Sequence, residues 1–401
     1  MESADILPLI NAYHRRLAST TLLFKRYLFN TINWNVRLIG IMGARGAGKT
    51  TLLLQHIKET FKNPDDTLWV SLDNLWFQNH SLLKLVDYLY THGMTTIFFD
   101  EVHKYPNWIQ FIKNLYDSYP DLNIVYTGSS MLEIDNSKTD LSRRQSLYML
   151  PVMSFREYLA YIGVLHLQPL KLEDLLKNHV SIAMDIVQKT KILKHFHDYL
   201  EHGCYPFFKE AGTDYLMRLA ATAQLVIDTD MPAVEKVTYA TLEKTKKLLG
   251  IIAQSVPLVP NISKLGSALE STRDSTIRMI YTLDKAQILM LLTRELKSYK
   301  HLVAPEKIYL NNTNLMAAFS TPVNEGNMRE TFFMNQVQQV GTVQMPKNGD
   351  FLVNGKYLFE VGGPYKTFEQ IKDEPDSYLV IDNIEMGTGN RIPLWLFGLL
   401  Y

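Results

Sequence analysis

The chain has 401 residues, 46% of them apolar and 20% charged, a balance that builds buried cores and excludes general disorder. Lysine plus arginine equals aspartate plus glutamate, 41 against 41, which excludes a global basic coat for nucleic acid and leaves only a local basic face open. The single cysteine, Cys204, excludes an intramolecular disulfide framework and suits a reducing compartment. No apolar run approaches the roughly 20 residues of a membrane helix, and the acidic start MESADILPLI lacks the basic flank of a secretory signal. A cytoplasmic protein without a membrane span, divided into two or three domains, is the expectation.

Residues 1–35 read as an N-terminal helical segment, in which Leu23, Phe24, Tyr27 and Leu28 stand at three- and four-residue spacing. Over residues 36–160 the pattern changes. Short apolar runs (LIGIMG, TLWVSLD, TIFFDE, NIVYTGSS, SLYMLPV) alternate with amphipathic stretches, as in a parallel sheet with crossover helices. The fold class is therefore α/β at this end of the chain, and the runs suit strands buried on both faces.

Gly43-Ala44-Arg45-Gly46-Ala47-Gly48-Lys49-Thr50 satisfies G-x-x-x-x-G-K-[ST] between the first run and the helical TTLLLQHIKETF. That strand–loop–helix setting is what a phosphate-binding P-loop requires. Glycines let the backbone wrap with its N–H groups, from Gly43 to Thr51, aimed at phosphate oxygens. The helix N-terminus adds partial positive charge. Lys49 is placed to neutralise the β- and γ-phosphates of ATP, and Thr50 to ligate Mg²⁺. The run Thr96–Asp100 ends in the acids Asp100 and Glu101. Downstream of a P-loop these read as a Mg²⁺-holding carboxylate and a base that orients the attacking water. Asn123–Ser130 ends in small hydroxyl residues where a γ-phosphate sensor belongs, with Thr127 favoured and Ser129 as the alternative. Arg143 and Arg144, in LSRRQ, are both candidates for an arginine finger that would face a neighbour's nucleotide in a ring.

The order P-loop, DEVHK (Asp100–Lys104), TGSS, SRR and PVMSFREYL resembles the AAA+ superfamily ATPases of the archaeal-ATPase/STAND type. More closely it resembles a Bacteroidetes group whose core precedes a winged helix and a restriction-endonuclease-like domain. The resemblance implies an ATP site at Lys49, Thr50, Asp100 and Glu101, and a finger at Arg143 or Arg144 that acts only in the oligomer. It implies a homo-oligomeric ring, with a hexamer as the form considered.

Residues 161–256 read as a helical region. Residues 257–306 read as a winged helix: Ile262, Leu265 and Leu269 share one helix face, and Thr276–Leu283 supplies a second helix with Ile277, Ile280 and Tyr281 inward. Within 251–307 eight basic residues face five acids, a local net of +3. Lys264, Arg273, Arg278 and Lys300 are the candidate DNA contacts, and protein contact is the alternative. Residues 307–401 read as an α+β restriction-endonuclease-like domain. Glu330, Asp350 and Glu360 resemble the carboxylates that gather metal ions in such cores. The lysine usual two positions after the last acid is replaced by Gly362, with Lys366 four residues on and Gln370 on an expected helix. The expectation is a vestigial nuclease domain kept for structure or nucleic-acid contact. The leading function is thus an ATP-hydrolysing, DNA-associated motor or remodeller. A nucleotide-switched regulator that holds protein partners and an ATP-gated nuclease are the alternatives.

Overall fold

The computed structural model describes residues 3–128, 141, 143–234, 237–294, 303–319 and 324–401. The chain forms two compact units: residues up to Pro151 with a return segment that begins at Asp228, and residues from Val152 to Ile227 with the remainder to Tyr401.

In the first unit five strands, β1 (Leu38–Gly43), β2 (Thr67–Ser71), β3 (Thr96–Asp100), β4 (Asn123–Gly128) and β5 (Ser146–Leu150), form one parallel sheet in the order β2-β3-β4-β1-β5. Register sets Leu38 against Ile124, Ile97 against Ile124 and Leu68 against Ile97. Leu38, Ile39, Ile41 and Met42 are all fully buried, which is why β1 reads as a continuous apolar run. Helices α2 (Lys49–Thr60), α3 (Leu82–Thr91) and α4 (Trp108–Ser118) carry the chain between parallel strands. Ser81 caps α3 by accepting from the Lys84 N–H, and α3 buries Leu82, Leu85, Val86 and Leu89 at helical spacing. The parallel order brings the C-terminal ends Gly43, Ser71, Asp100 and Gly128 to one edge of the sheet, where ligands bind in such folds.

Helix α1 (Ser3–Ser19) buries Ile6, Leu9, Tyr13 and Leu17. The helical spacing of Leu23 to Leu28 does not produce a helix: a 3₁₀ turn spans Tyr27–Asn30, and Leu23 is 91% exposed. Tertiary hydrogen bonds override the periodicity. Gln55 Nε2 donates to the carbonyls of Thr21 (2.8 Å) and Phe24 (2.7 Å), and the buried Arg26 guanidinium donates to the carbonyls of Ala47 and Pro151. An α-helix would have consumed the Thr21 and Phe24 carbonyls internally.

The second unit opens with α5 (Phe155–Tyr161), started by a reciprocal Ser154–Glu157 capping box. Ser154 Oγ donates to the Tyr401 carbonyl (2.7 Å), and the Phe155 ring meets Phe196 at 5.2 Å, so the segment after Pro151 packs within the second unit. Then follow α6 (Leu172–Val187), α7 (Ile192–His202), α8 (Tyr215–Leu225) and α9 (Tyr239–Ala253). Helices α10 (Ile262–Ala268) and α11 (Arg273–Lys285) precede a hairpin of β6 (Leu289–Leu292) and β7 (Lys307–Leu310). The run KIYL, grouped from sequence with the terminal domain, is thus the second strand of that hairpin. Helices α12 (Thr313–Phe319) and α13 (Glu325–Val337) lead to a mixed sheet of β8 (Val343–Gln344), β9 (Phe351–Val353), β10 (Tyr357–Gly362), β11 (Ser377–Ile381) and β12 (Arg391–Pro393). The apolar C-terminus is a short strand and then 3₁₀ turns over Leu394–Leu399, rather than one long strand. Pro393 lacks the N–H needed to extend the ladder. Gln370 lies in turns, not on a helix.

Candidate functional site

At the C-terminal edge of the parallel sheet, β1 runs into the glycine loop. Gly46 (φ 84°) and Gly48 (φ 98°) hold left-handed backbone that side chains rarely adopt. A Cβ on Gly43 would stand 2.2 Å from the Leu150 carbonyl oxygen. These three positions therefore favour glycine, for backbone conformation at Gly46 and Gly48 and for space at Gly43. Lys49 is buried at the start of α2, and its ammonium donates to the carbonyls of Gly43 (2.9 Å) and Ala44 (3.0 Å). Burial lowers its pKa, against the opposing charges of Glu101 and Asp100.

Asp100, at the end of β3, is pinned on both oxygens. Thr50 Oγ1 donates to Oδ2 at 2.6 Å, and the Thr127 hydroxyl donates to Oδ1. Burial raises the pKa of Asp100, and these two hydrogen bonds oppose the rise. Thr127 Oγ1 also accepts from the Glu101 N–H at 3.1 Å. One threonine on β4 therefore fixes both acids. Glu101 itself adopts a left-handed backbone (φ 55°), uncommon for a residue with a side chain. Its Oε2 is buried without a hydrogen bond among the described residues, with the His103 ring Nε2 3.5 Å away.

Beside these groups lies Asp230, fully buried on a π-helical turn (Val226–Asp230) in the return segment. Its Oδ1 accepts from Lys104 Nζ at 2.6 Å and lies 3.4 Å from Arg45 Nη1 and 3.5 Å from His103 Nε2. Burial alone would raise its pKa; hydrogen bonds and charge from His103 and Lys104 overturn that and hold it below the ordinary carboxylate range. Asp230, His103 and Lys104 had no role in the sequence reading. His103 and Lys104 lie inside DEVHK, so their nearness to Glu101 was open to inspection. Asp230 is 129 positions beyond Glu101 in the chain, and no local pattern marks it.

A cleft of about 970 Å³, lined among others by Arg45, Thr50, Thr51, Asp100 and Glu101, opens at this point. The donor set suits a magnesium nucleotide: a hydroxyl against a carboxylate, the kind of oxygen ligands a hard cation takes, beside a loop that favours glycine and an acid oxygen without a hydrogen bond among the described residues.

The other expected residues lie elsewhere. Arg144 makes a forked pair with Asp117 (2.9 and 3.1 Å), whereas Arg143 is exposed. Ser129 lies outside the described residues, as does Lys300. Lys264 on α10 and Arg273 and Arg278 on α11 are exposed, with Ile277, Ile280 and Tyr281 buried behind them. In the second unit Glu330 (α13), Asp350 (just before β9), Glu360 (β10) and Lys366 do come together, and Lys307 and Tyr309 of β7 join them. Lys307 Nζ is 3.2 Å from Glu330 and 4.0 Å from Asp350, Tyr309 donates to Glu330 at 2.8 Å, and Lys366 pairs with Glu360. Burial, then the Glu330 charge, pushes the Asp350 pKa up to about 6. A Cβ on Gly362 would stand 2.7 Å from the Lys366 Cβ and Cγ, so the Lys366 stem fills the space a side chain at 362 would need. Among the described residues, no group of three or more His, Cys, Asp or Glu side chains is arranged to hold a metal ion.

Residues 35–159 match the family model of an AAA domain. The matched stretch is the part of the chain that holds the five-stranded parallel sheet and the glycine loop between β1 and α2. Two uncharacterized proteins of Methanocaldococcus jannaschii are similar over longer stretches. MJ1637 is 28% identical over 63% of this chain and 56% of its own length. MJ1544 is 23% identical over 76% of this chain and 67% of its own. The chain thus spans little more than half of the first relative. Among solved structures, C. elegans PCH-2 is similar at 18% identity over 42% of this chain and 49% of that one (TM-score 0.24). AMPPCP-bound DnaA from Aquifex aeolicus is similar at 12% identity over 71% and 89% (TM-score 0.26). At these TM-scores neither likeness carries an argument.

Proposed function

We propose that this chain binds ATP with Mg²⁺ and hydrolyses it, and that it works as a homo-oligomeric, DNA-associated motor or remodeller. The observation that carries the ATPase reading is Asp100 held between Thr50 and Thr127, with the Glu101 carboxylate beside it on the Thr127-anchored backbone. Bound there, Mg²⁺–ATP would supply an activated γ-phosphoryl group. Lys49 and the loop amides bind the phosphates, and Thr50 and Asp100 are the residues that would hold the cation. Thr127 keeps Asp100 and Glu101 in register, and Glu101 orients water and accepts its proton. Arg143, the exposed member of the arginine pair, is the finger offered to a second copy. Glu101→Gln is expected to keep ATP binding and lose turnover by about 10²-fold or more. Normal hydrolysis by that variant would falsify the assignment.

The exposed Lys264, Arg273 and Arg278 support the DNA part of the reading. Duplex DNA at low salt is expected to stimulate hydrolysis, with an effect that fades steeply as salt rises. Turnover indifferent to DNA at low salt would point instead to a nucleotide-switched regulator of protein partners. The lysine-neutralised cluster around Asp350 supports a domain retained for structure or nucleic-acid contact rather than cutting. Metal-dependent strand cleavage that vanishes in Asp350→Ala would reverse that reading.

A further inference from the structure

The network around Asp230 contains one donor facing two acids. His103 Nε2 is 3.5 Å from Glu101 Oε2 and 3.5 Å from Asp230 Oδ1, and its side chain is wholly buried. A ring nitrogen carries one hydrogen, so that N–H serves one carboxylate fully or both weakly. Asp230 has further partners in Lys104 (2.6 Å) and Arg45 (3.4 Å), whereas among the described residues no hydrogen bond reaches Glu101 Oε2. Arg45 belongs to the P-loop and Lys104 to the turn after Glu101. The buried carboxylate thus ties the phosphate-binding loop to the segment that carries the base.

We propose that His103 is a positioning residue for Glu101, and that Asp230 sets where its N–H points. Directed at Glu101, the N–H holds the carboxylate by Oε2 and fixes the side chain that must face the attacking water. Directed at Asp230, it releases Glu101. The return segment beginning at Asp228 is therefore a working part of the nucleotide site, not merely a strap across it. This inference rests on the ATPase reading.

The test uses the full chain with ATP and Mg²⁺, measuring kcat, KM and ATP-analogue affinity, with a thermal melt for each variant. His103→Leu, which removes the donor, is expected to lower kcat about 10- to 100-fold, as small misplacements of a reacting group do, with KM and analogue affinity within twofold. His103→Gln, whose amide nitrogen reaches a position near Nε2, is expected to recover most of that loss. Asp230→Asn, which weakens the competing acceptor, is expected to raise kcat, and His103→Leu combined with Asp230→Asn to match His103→Leu alone, since the pair acts as a unit. If Asp230→Asn fails to fold, the contrast between His103→Leu and His103→Gln decides alone. A His103→Leu enzyme with kcat within twofold of the parent overturns the proposal. So does a loss of kcat matched by an equal loss of affinity, which marks a merely structural role. Failure of the ATPase reading looks different: the parent chain itself would turn over no ATP, or Glu101→Gln would remain active.

Discussion

The site proposed for the nucleotide rests on five side chains, Lys49, Thr50, Asp100, Glu101 and Thr127, each with a separable job. Lys49 is the only one whose donors reach the loop carbonyls, so Lys49→Ala is expected to abolish ATP-analogue binding while leaving the thermal melt nearly unchanged, a pattern isothermal titration and calorimetry together would expose. The Thr127 hydroxyl spans Asp100 and the Glu101 N–H. Thr127→Val keeps the shape and removes both bonds. It is expected to cost about 1–3 kcal/mol of stability, the usual penalty for stranding buried polar groups, and to lower kcat more than nucleotide affinity. An affinity loss larger than the kcat loss would instead favour a direct sensor role. The P-loop and the acid pair were legible because their residues are contiguous. The hydrogen bonds of Thr127 to both acids, and all of Asp230, were not, because they depend on which strand lies beside β3 and on where residue 230 returns.

At the level of elements, strands declared themselves more clearly than their boundaries. β1, β3 and β4 are buried on both faces, and continuous apolar runs are their natural signature. The segment after α1 misled, because Gln55 and Arg26 supply hydrogen bonds that outweigh helical spacing. KIYL misled because a strand's partner is not written in its own residues. Helix α2 carries a buried His56, stacked on Trp34 with ring centroids 3.6 Å apart. Burial pushes its pKa down to about 4 from an ordinary 6.5. The folded chain keeps His56 neutral while the unfolded chain takes up a proton below 6.5, so this contribution is intact above 6.5 and is lost as pH falls towards 4. The loss is about 3 kcal/mol over that window. Urea denaturation of His56→Phe, which keeps an aromatic ring against Trp34, is expected to show stability falling less between pH 7 and pH 4.5 than in the parent. Equal slopes would show that His56 is not the acid-sensitive group.

For the molecule as a whole, the chain leaves the first unit after Pro151, returns at Asp228 and leaves again. The proposed arginine finger belongs to this scale, since it would act only between copies. Arg144 is already engaged by Asp117 on a partly exposed surface, so Arg144→Ala is expected to cost about 0–1 kcal/mol of stability and little turnover. Arg143→Ala is expected to lower turnover by about 10³-fold, in line with other trans-acting arginines, while the particle mass with a non-hydrolysable ATP analogue stays that of the oligomer. A monomer under those conditions, or full activity in Arg143→Ala, would remove the trans-acting finger.

By itself the sequence determined the phosphate loop, the acid pair and the parallel α/β character of residues 36–150, because each is carried by neighbouring residues whose chemistry or periodicity is local. Only the tertiary structure decided that Thr127 serves Asp100, that Asp230 reaches the P-loop from far along the chain, that Lys366 folds back over Gly362, and that the first unit ends at Pro151. Each of those depends on which surfaces meet, a property of the packed chain that no window of sequence contains.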